Sequence, residues 1–215
     1  MALAHQDTWT SDLASPNSAA VEDLDRDRPK NLTQDEIVFW DSVSSKFNYY
    51  AGYVTSSSIN LWLLSRALVN DISLPRFAVL ALSGYFLWTL VEYWFHRYMY
   101  HHGPKLMKLG HQMHHDAPRA FLGLPYYYHG AVYVIVYLIF SHIFSPASVG
   151  TFMGFFGIGH LSYNATHHAT HHWNFKNPLF KKIKAHHLTH HHRDGINFGI
   201  TCPYWDTVFG TRAPR

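Results

Sequence analysis

The sequence predicts an all-α fold, an integral membrane bundle of about four transmembrane helices with a cytosolic helical cap rich in histidine. Three observations carry this expectation. The 215 residues are 47% hydrophobic and 17% aromatic but only 14% charged, against about 25% charged in ordinary soluble domains. Four apolar stretches succeed one another after residue 48, with Tyr and Trp crowding their ends. Histidine is the third signal: the chain has 19, more than its 17 Lys and Arg together. The same arithmetic excludes other classes. A single cysteine, Cys202, rules out a disulfide framework or a Cys-rich zinc ribbon. A net charge of +3, without basic residues interleaved with aromatics, argues for no nucleic-acid partner.

Residues 1–40 read as a polar, largely disordered N-terminal tail, and residues 41–215 as one membrane domain. Nine of the 14 acidic residues lie at or before Asp41, including Glu22, Asp23, Asp25 and Asp27. Such a segment is too acidic for a transit peptide and lacks the apolar run of a signal peptide. Residues 49–68 form the weakest apolar stretch, softened by Thr55, Ser56, Ser57 and Ser58. Residues 76–99 reach the roughly 20 residues needed to cross a bilayer, with one acid, Glu92, near the end. Residues 131–144 and 149–163 are shorter and marginal as spans, and Pro146 between them predicts a hairpin of two helices. Tyr49, Tyr50, Trp94, Tyr98, Tyr126, Tyr127 and Tyr128 sit where an interfacial belt would. If all four stretches cross, residues 1–48, 96–129 and 164–215 share one side. That side holds 15 of the 17 basic residues, all but Arg66 and Arg76. The excess of positive charge puts it in the cytoplasm, at the endoplasmic reticulum of a eukaryote or the inner membrane of a bacterium.

Most of the histidines fall on that shared side, in four groups. They are His96-x4-His101 followed by His102, His111-x2-His114-His115, His167-x3-His171 with His168 and His172, and His187-x2-His190-His191 flanked by His186 and His192. Spacings of three and four place side chains on one helix face, which lets two or three imidazoles converge on one metal. His96 and His101, five apart, do not share a face. The helix must end, unwind or bulge between them, as helices do at functional sites, or the two serve different metals. The third group also reads as His168-x2-His171-His172, one residue out of step. These groups hold more imidazoles than the four ligands of a tetrahedral zinc, and they suit two ions with about five each. Imidazole accepts Zn, Cu, Fe and Ni alike. His5, His129, His142 and His160 stand apart and read as solvent-facing or satisfied interior groups. The apolar stretches carry almost no ionisable residues, which argues against a transport path. A metal site at the membrane face suits chemistry on a lipid tail.

At EYWFHRYMYH (92–101), HQMHHDAP (111–118), GHLSYNATHHATHH (159–172), KKIKAHHLTHHHRDGINFGIT (181–201) and YWDTVFGT (204–211) the chain resembles the fatty acid hydroxylase superfamily. These are membrane di-iron, histidine-box proteins that include fatty acid 2-hydroxylases, sterol oxidases and desaturases, and carotenoid hydroxylases. The nearest resemblance is to the fatty acid 2-hydroxylase branch, and it covers roughly residues 75–212. Carried over by motif, it implies ten metal ligands: His96, His101, His111, His114, His115, His167, His171, His187, His190 and His191. It implies two iron ions, with zinc able to occupy the purified protein, and O2 as co-substrate. It implies O2-dependent hydroxylation of a lipid acyl chain, as in fatty acid or sphingolipid 2-hydroxylation. No cytochrome b5 domain is fused in these 215 residues, so electrons are expected from a separate donor such as cytochrome b5, a ferredoxin or a reductase. A sterol or carotenoid hydroxylase or desaturase, and a non-catalytic membrane metal-binding protein, are the competing readings. Metal-bound histidines usually donate their second N–H to an oxygen. Glu92, Asn164, Asp194 and Asp206 are the candidate acceptors, with Glu92 preferred because an acid at the end of an apolar span is costly. Trp205 and Asp206 also read as a structural turn. Lys105, Lys108, Arg119, Lys181, Lys182 and Lys184 suit anionic head groups or an acidic donor. Trp173 and Tyr126, Tyr127 and Tyr128 suit interface anchors.

Overall fold

The computed structural model describes residues 28–214. Its first helix, α1 (Gln34–Val43), starts on a reciprocal cap. The Thr33 hydroxyl accepts the Glu36 N–H, and the Glu36 carboxylate accepts the Thr33 N–H, which satisfies two donors that a helix start leaves unpaired. The helix buries Trp40 and Val43. This corrects the expected tail, because residues 34–40 are helical; the stretch 1–27 lies outside the described residues.

Two long helices follow. In α2 (Lys46–Val69), Ser45 caps the start by accepting the Asn48 N–H. In α3 (Leu74–Trp94), Pro75 occupies the first turn, where its missing N–H costs nothing. The chain then passes without a break into a π-helical segment, Phe95–Tyr100. Helix α4 (Lys105–Asp116) carries the second histidine group, and α5 (Tyr126–Ser141) runs back. Pro146 opens α6 (Pro146–His172), so α5 and α6 form the hairpin that the proline predicts. Helix α6 is longer than its apolar part: 27 residues continue through the third histidine group, about 40 Å at 1.5 Å per residue. Helices α7 (Pro178–His192) and α8 (Tyr204–Val208) complete the cap. Among the described residues there is no strand, only one antiparallel bridge between Ser44 and Leu122.

Helix α6 is the central post, packed against α3 and α2, with α5 also lying on α2. Small residues allow this. A Cβ at Gly150 would lie 2.5 Å from the Leu63 carbonyl oxygen, and one at Gly84 would meet the Phe152 carbonyl oxygen. Only glycine lets the backbones approach so closely, as in helix pairs packed within lipid. Leu63, Tyr137, Val149 and Met153 form the core beneath. A second cluster of Tyr93, Phe198 and Trp205 joins the end of α3 to the cap. Leu74–Tyr100 is the one stretch of the described residues both long and apolar enough to cross a membrane, with a mean hydropathy of 1.5. The described residues are thus all-α as expected, with one clear apolar span among the helices.

Candidate metal centre

The ten histidines implied by the motifs converge in two groups of five. His96, His101, His111, His115 and His190 form one; His114, His167, His171, His187 and His191 form the other. Within each group the candidate ligand atoms all lie within 4.8 Å of one another. The sequence groups are not the spatial groups, and helix geometry explains the split. At about 100° per residue, positions four apart diverge by about 40°, while adjacent positions diverge by about 100°. In His111-x2-His114-His115 the outer pair therefore faces one group and His114 the other. In His187-x2-His190-His191 the outer pair again stays together and His190 crosses over. The π segment solves the five-residue spacing of His96 and His101: its wider turn brings both rings to the same group.

The nitrogens fit a shared cation. In the first group Nε2–Nε2 separations are 3.2 Å for His96–His111, 3.1 Å for His101–His111, 3.0 Å for His111–His115 and 3.2 Å for His115–His190. In the second they are 2.9 Å for His114–His167, 2.8 Å for His171–His187 and 3.1 Å for both His114–His191 and His187–His191. Two nitrogens about 2.1 Å from one ion, at right angles, stand about 3 Å apart. The tautomers agree. His96 Nδ1 donates to the Phe198 carbonyl at 2.6 Å, and His190 Nδ1 donates to the Ile196 carbonyl at 2.9 Å. In a neutral ring each Nε2 then carries only a lone pair. Lone pairs crowded at 3 Å repel unless a cation lies between them.

Burial keeps these rings neutral. It pushes His101 and His190 down to about 4, with neighbouring imidazoles adding to the effect. His111, His114, His115 and His191 are lowered for the same first reason. A neutral imidazole is the form that ligates metal. The Phe198 ring covers the first group, with its centre 5.7 Å from His96, 5.3 Å from His101 and 5.5 Å from His190. An open cavity of about 370 Å³ reaches His101, His111 and His115 from outside, past Tyr100, Lys105, Lys108, Leu109, Gln112 and Asp194.

The remaining histidines are sorted by the structure. His168 and His172 stack on each other 4.2 Å apart, with His168 bonded to the Tyr49 hydroxyl at 3.1 Å, so the register His167/His171 is the one that converges. His160 is buried and bonded to Asn164 at 3.1 Å, which makes it a satisfied interior group. The expected acceptors are corrected: none of Glu92, Asn164, Asp194 or Asp206 has a hydrogen bond to the ten rings. Glu92 instead accepts the N–H groups of Ile200 and Thr201, each at 2.8 Å, and the Thr201 hydroxyl. Asp206 accepts the N–H groups of Phe198 and Gly199 at 2.7 and 2.9 Å, and pairs with His186 at 3.0 Å. Asp194 is exposed at the cavity. Sequence reasoning missed the segment 196–201 as the source of acceptors, because backbone carbonyls leave no side-chain signature.

Comparison with known proteins agrees with this geometry. Residues 81–211 match the fatty acid hydroxylase family. The chain is 30% identical over 190 residues to the dihydroceramide fatty acyl 2-hydroxylase FAH1 of Arabidopsis thaliana, covering 82% of this chain and 80% of that one. It is 32% identical over 158 residues to the fatty acid 2-hydroxylase of Homo sapiens, covering 67% of this chain and 42% of the human protein. Among solved structures, full-length scs7p, with only its hydroxylase domain visible, shares the fold: TM-score 0.67, 24% identity, covering 80% of this chain and 68% of that one. With the motifs, the paired histidine groups and the matched residues in agreement, the chain belongs to the fatty acid hydroxylase family and is an oxidoreductase acting on lipid acyl chains.

Proposed function

We propose that the chain hydroxylates C2 of a lipid acyl chain, in a fatty acid or the acyl arm of a sphingolipid, with one iron ion in each five-histidine group. The observation that carries this reading is the convergence of the ten neutral imidazoles at metal-ligand spacing. The names of the relatives in plant and human support the carbon and the substrate class. Two redox metals at this place would activate O2 toward an unactivated C–H bond, a reaction no side chain can perform alone. The balance is one C–H and O2 with two electrons and two protons, giving one C–OH and one water. The chain's own groups do the rest. The Phe198 and Ile196 carbonyls fix two ring orientations, and the Phe198 ring covers the first group on the side of His96, His101 and His190.

The membrane setting follows from the surface. Val54 and Leu61 on α2, Val79, Leu82 and Phe86 on α3, and Ile135 and Ile139 on α5 are all more than half exposed. So much outward apolar surface suits lipid as the solvent, and the 15 basic residues on the histidine side favour a cytoplasmic cap. Electrons come from a separate donor, for which cytochrome b5, a ferredoxin or a reductase would serve. Expression in cells devoid of 2-hydroxy lipids under ¹⁸O2, followed by lipid mass spectrometry, tests the reading. One ¹⁸O at C2 of acyl chains is expected. Label in sterol or carotenoid, or no labelled lipid when donor and iron are supplied, would refute it.

A further inference from the structure

The segment 196–201 ties the two buried acids to the histidines. Its Ile196 and Phe198 carbonyls take the Nδ1–H groups of His190 and His96. Its four consecutive N–H groups, from Phe198 to Thr201, all go to carboxylates: two to Asp206 and two to Glu92. Both acids are buried, at 0% and 3% exposure. Between the carbonyls stands Asn197 in the left-handed region, at φ 55°. It is held by its own side chain, which donates to the His186 carbonyl at 3.1 Å and accepts the Ala213 N–H at 2.8 Å. Both oriented rings belong to the first group. In the second group His187 and His191 have buried Nδ1 atoms with no partner among the described residues.

We infer that Asp206 is a positioning residue for one metal position only: through the 196–201 backbone it sets the rings of His96 and His190, and the two positions differ in what holds them. This rests on the ten rings being ligands. Asp206 acts on the chain by accepting with both oxygens. Oδ1 takes the Phe198 N–H and the Thr211 hydroxyl, while Oδ2 takes the Gly199 N–H and the His186 ring N–H. A neutral amide must therefore oppose N–H to N–H whichever way it flips. Glu92 differs. Its Oε1 takes both backbone N–H groups, and its Oε2 takes the Thr201 hydroxyl, which can also accept. An amide keeps those three bonds.

The test is metal affinity read site by site. Purified full-length protein in detergent is titrated with Zn²⁺ or Co²⁺ against a competing chelator, with bound metal counted and the Co²⁺ absorption spectrum recorded. Wild type holds two equivalents. Asp206→Asn weakens one of them 10–100-fold, the range seen on removing a ligand's outer partner, with a changed Co²⁺ spectrum, while the other stays within threefold. Glu92→Gln keeps both. In a His171→Ala background, which disables the second group, Asp206→Asn takes away the remaining tight equivalent. Where Asp206→Asn is not recovered from the membrane, His186→Leu removes one donor to the same carboxylate and gives a smaller loss at the same equivalent. Equal weakening of both equivalents, no weakening, or loss in Glu92→Gln matching that in Asp206→Asn would overturn the inference. Wild-type protein holding fewer than two equivalents would overturn the ligand reading beneath it.

Discussion

Asn197→Ala should destabilise the folded protein by about 3 kcal/mol, and the sum can be built from two parts. The left-handed conformation of Asn197 costs an alanine about 1 kcal/mol. Its side chain satisfies the His186 carbonyl and the Ala213 N–H, and each partly buried group left without a partner costs about 1 kcal/mol. Asn197→Gly removes the same two bonds but adopts the conformation freely, so it should cost about 2 kcal/mol. In a chain of this size 1 kcal/mol moves the thermal midpoint by about 2–4 °C. Intrinsic tryptophan fluorescence of the detergent-solubilised protein should then show the alanine variant lower by about 6–12 °C and the glycine variant in between. A glycine variant as unstable as the alanine variant would refute the conformational part of the sum. Shifts under 1 °C in both would refute the whole.

Other perturbations give equally definite expectations. His190→Ala removes a candidate ligand bridging the cap and the first group; lipid mass spectrometry should find no hydroxylated product, while membrane fractionation finds the protein inserted as before. Gly159→Leu drives a side chain into Trp88, whose Cβ, Cγ and Cδ1 all lie within 2.7 Å of where a Cβ would stand, and should cut the folded yield at least several-fold by detergent size-exclusion profile. Acidification should unfold the metal-free protein. Burial holds His101 and His190 near 4, below the ordinary value of about 6.5, so the unfolded chain binds more protons between those limits and stability falls as pH drops from about 6.5 toward 4. Thermal midpoints of the chelator-treated protein across that window check the sign, and a midpoint rising on acidification would contradict it.

Much of the centre was legible because imidazole spacing is a geometric statement. His111 and His115, or His167 and His171, four apart on a helix, can hardly avoid one another, and the misfit of His96 with His101 calls for either a distorted turn or two different metals. The hairpin at Pro146 was equally open, since proline tolerates a first turn and little else. What escaped was relational. Thr33 and Glu36 spell a capping box, but the acidic composition around them looked like tail. Apolarity measured only part of α6, because helical hydrogen bonding continues past the last apolar residue into His167 and His171. Glu92 was rightly singled out as a costly acid, yet its partner proved to be the backbone of Ile200 and Thr201. A sequence displays side chains, and the oxygens that orient His96 and His190 belong to the main chain.

The wide turn at Phe95–Tyr100 has a consequence for chain length. Residues five apart on an α-helix would point about 140° away from each other, whereas residues four apart diverge by only about 40°. Removing one residue between His96 and His101 would hand the pair back to an ordinary helix with both rings still facing the same way. This short segment is thus a slack link, able to lose a residue where a like deletion in the straight run of α3 would swing His96 and His101 together out of alignment. The centre carries a tolerance to shortening at the very point where its ligands are set most unevenly along the chain.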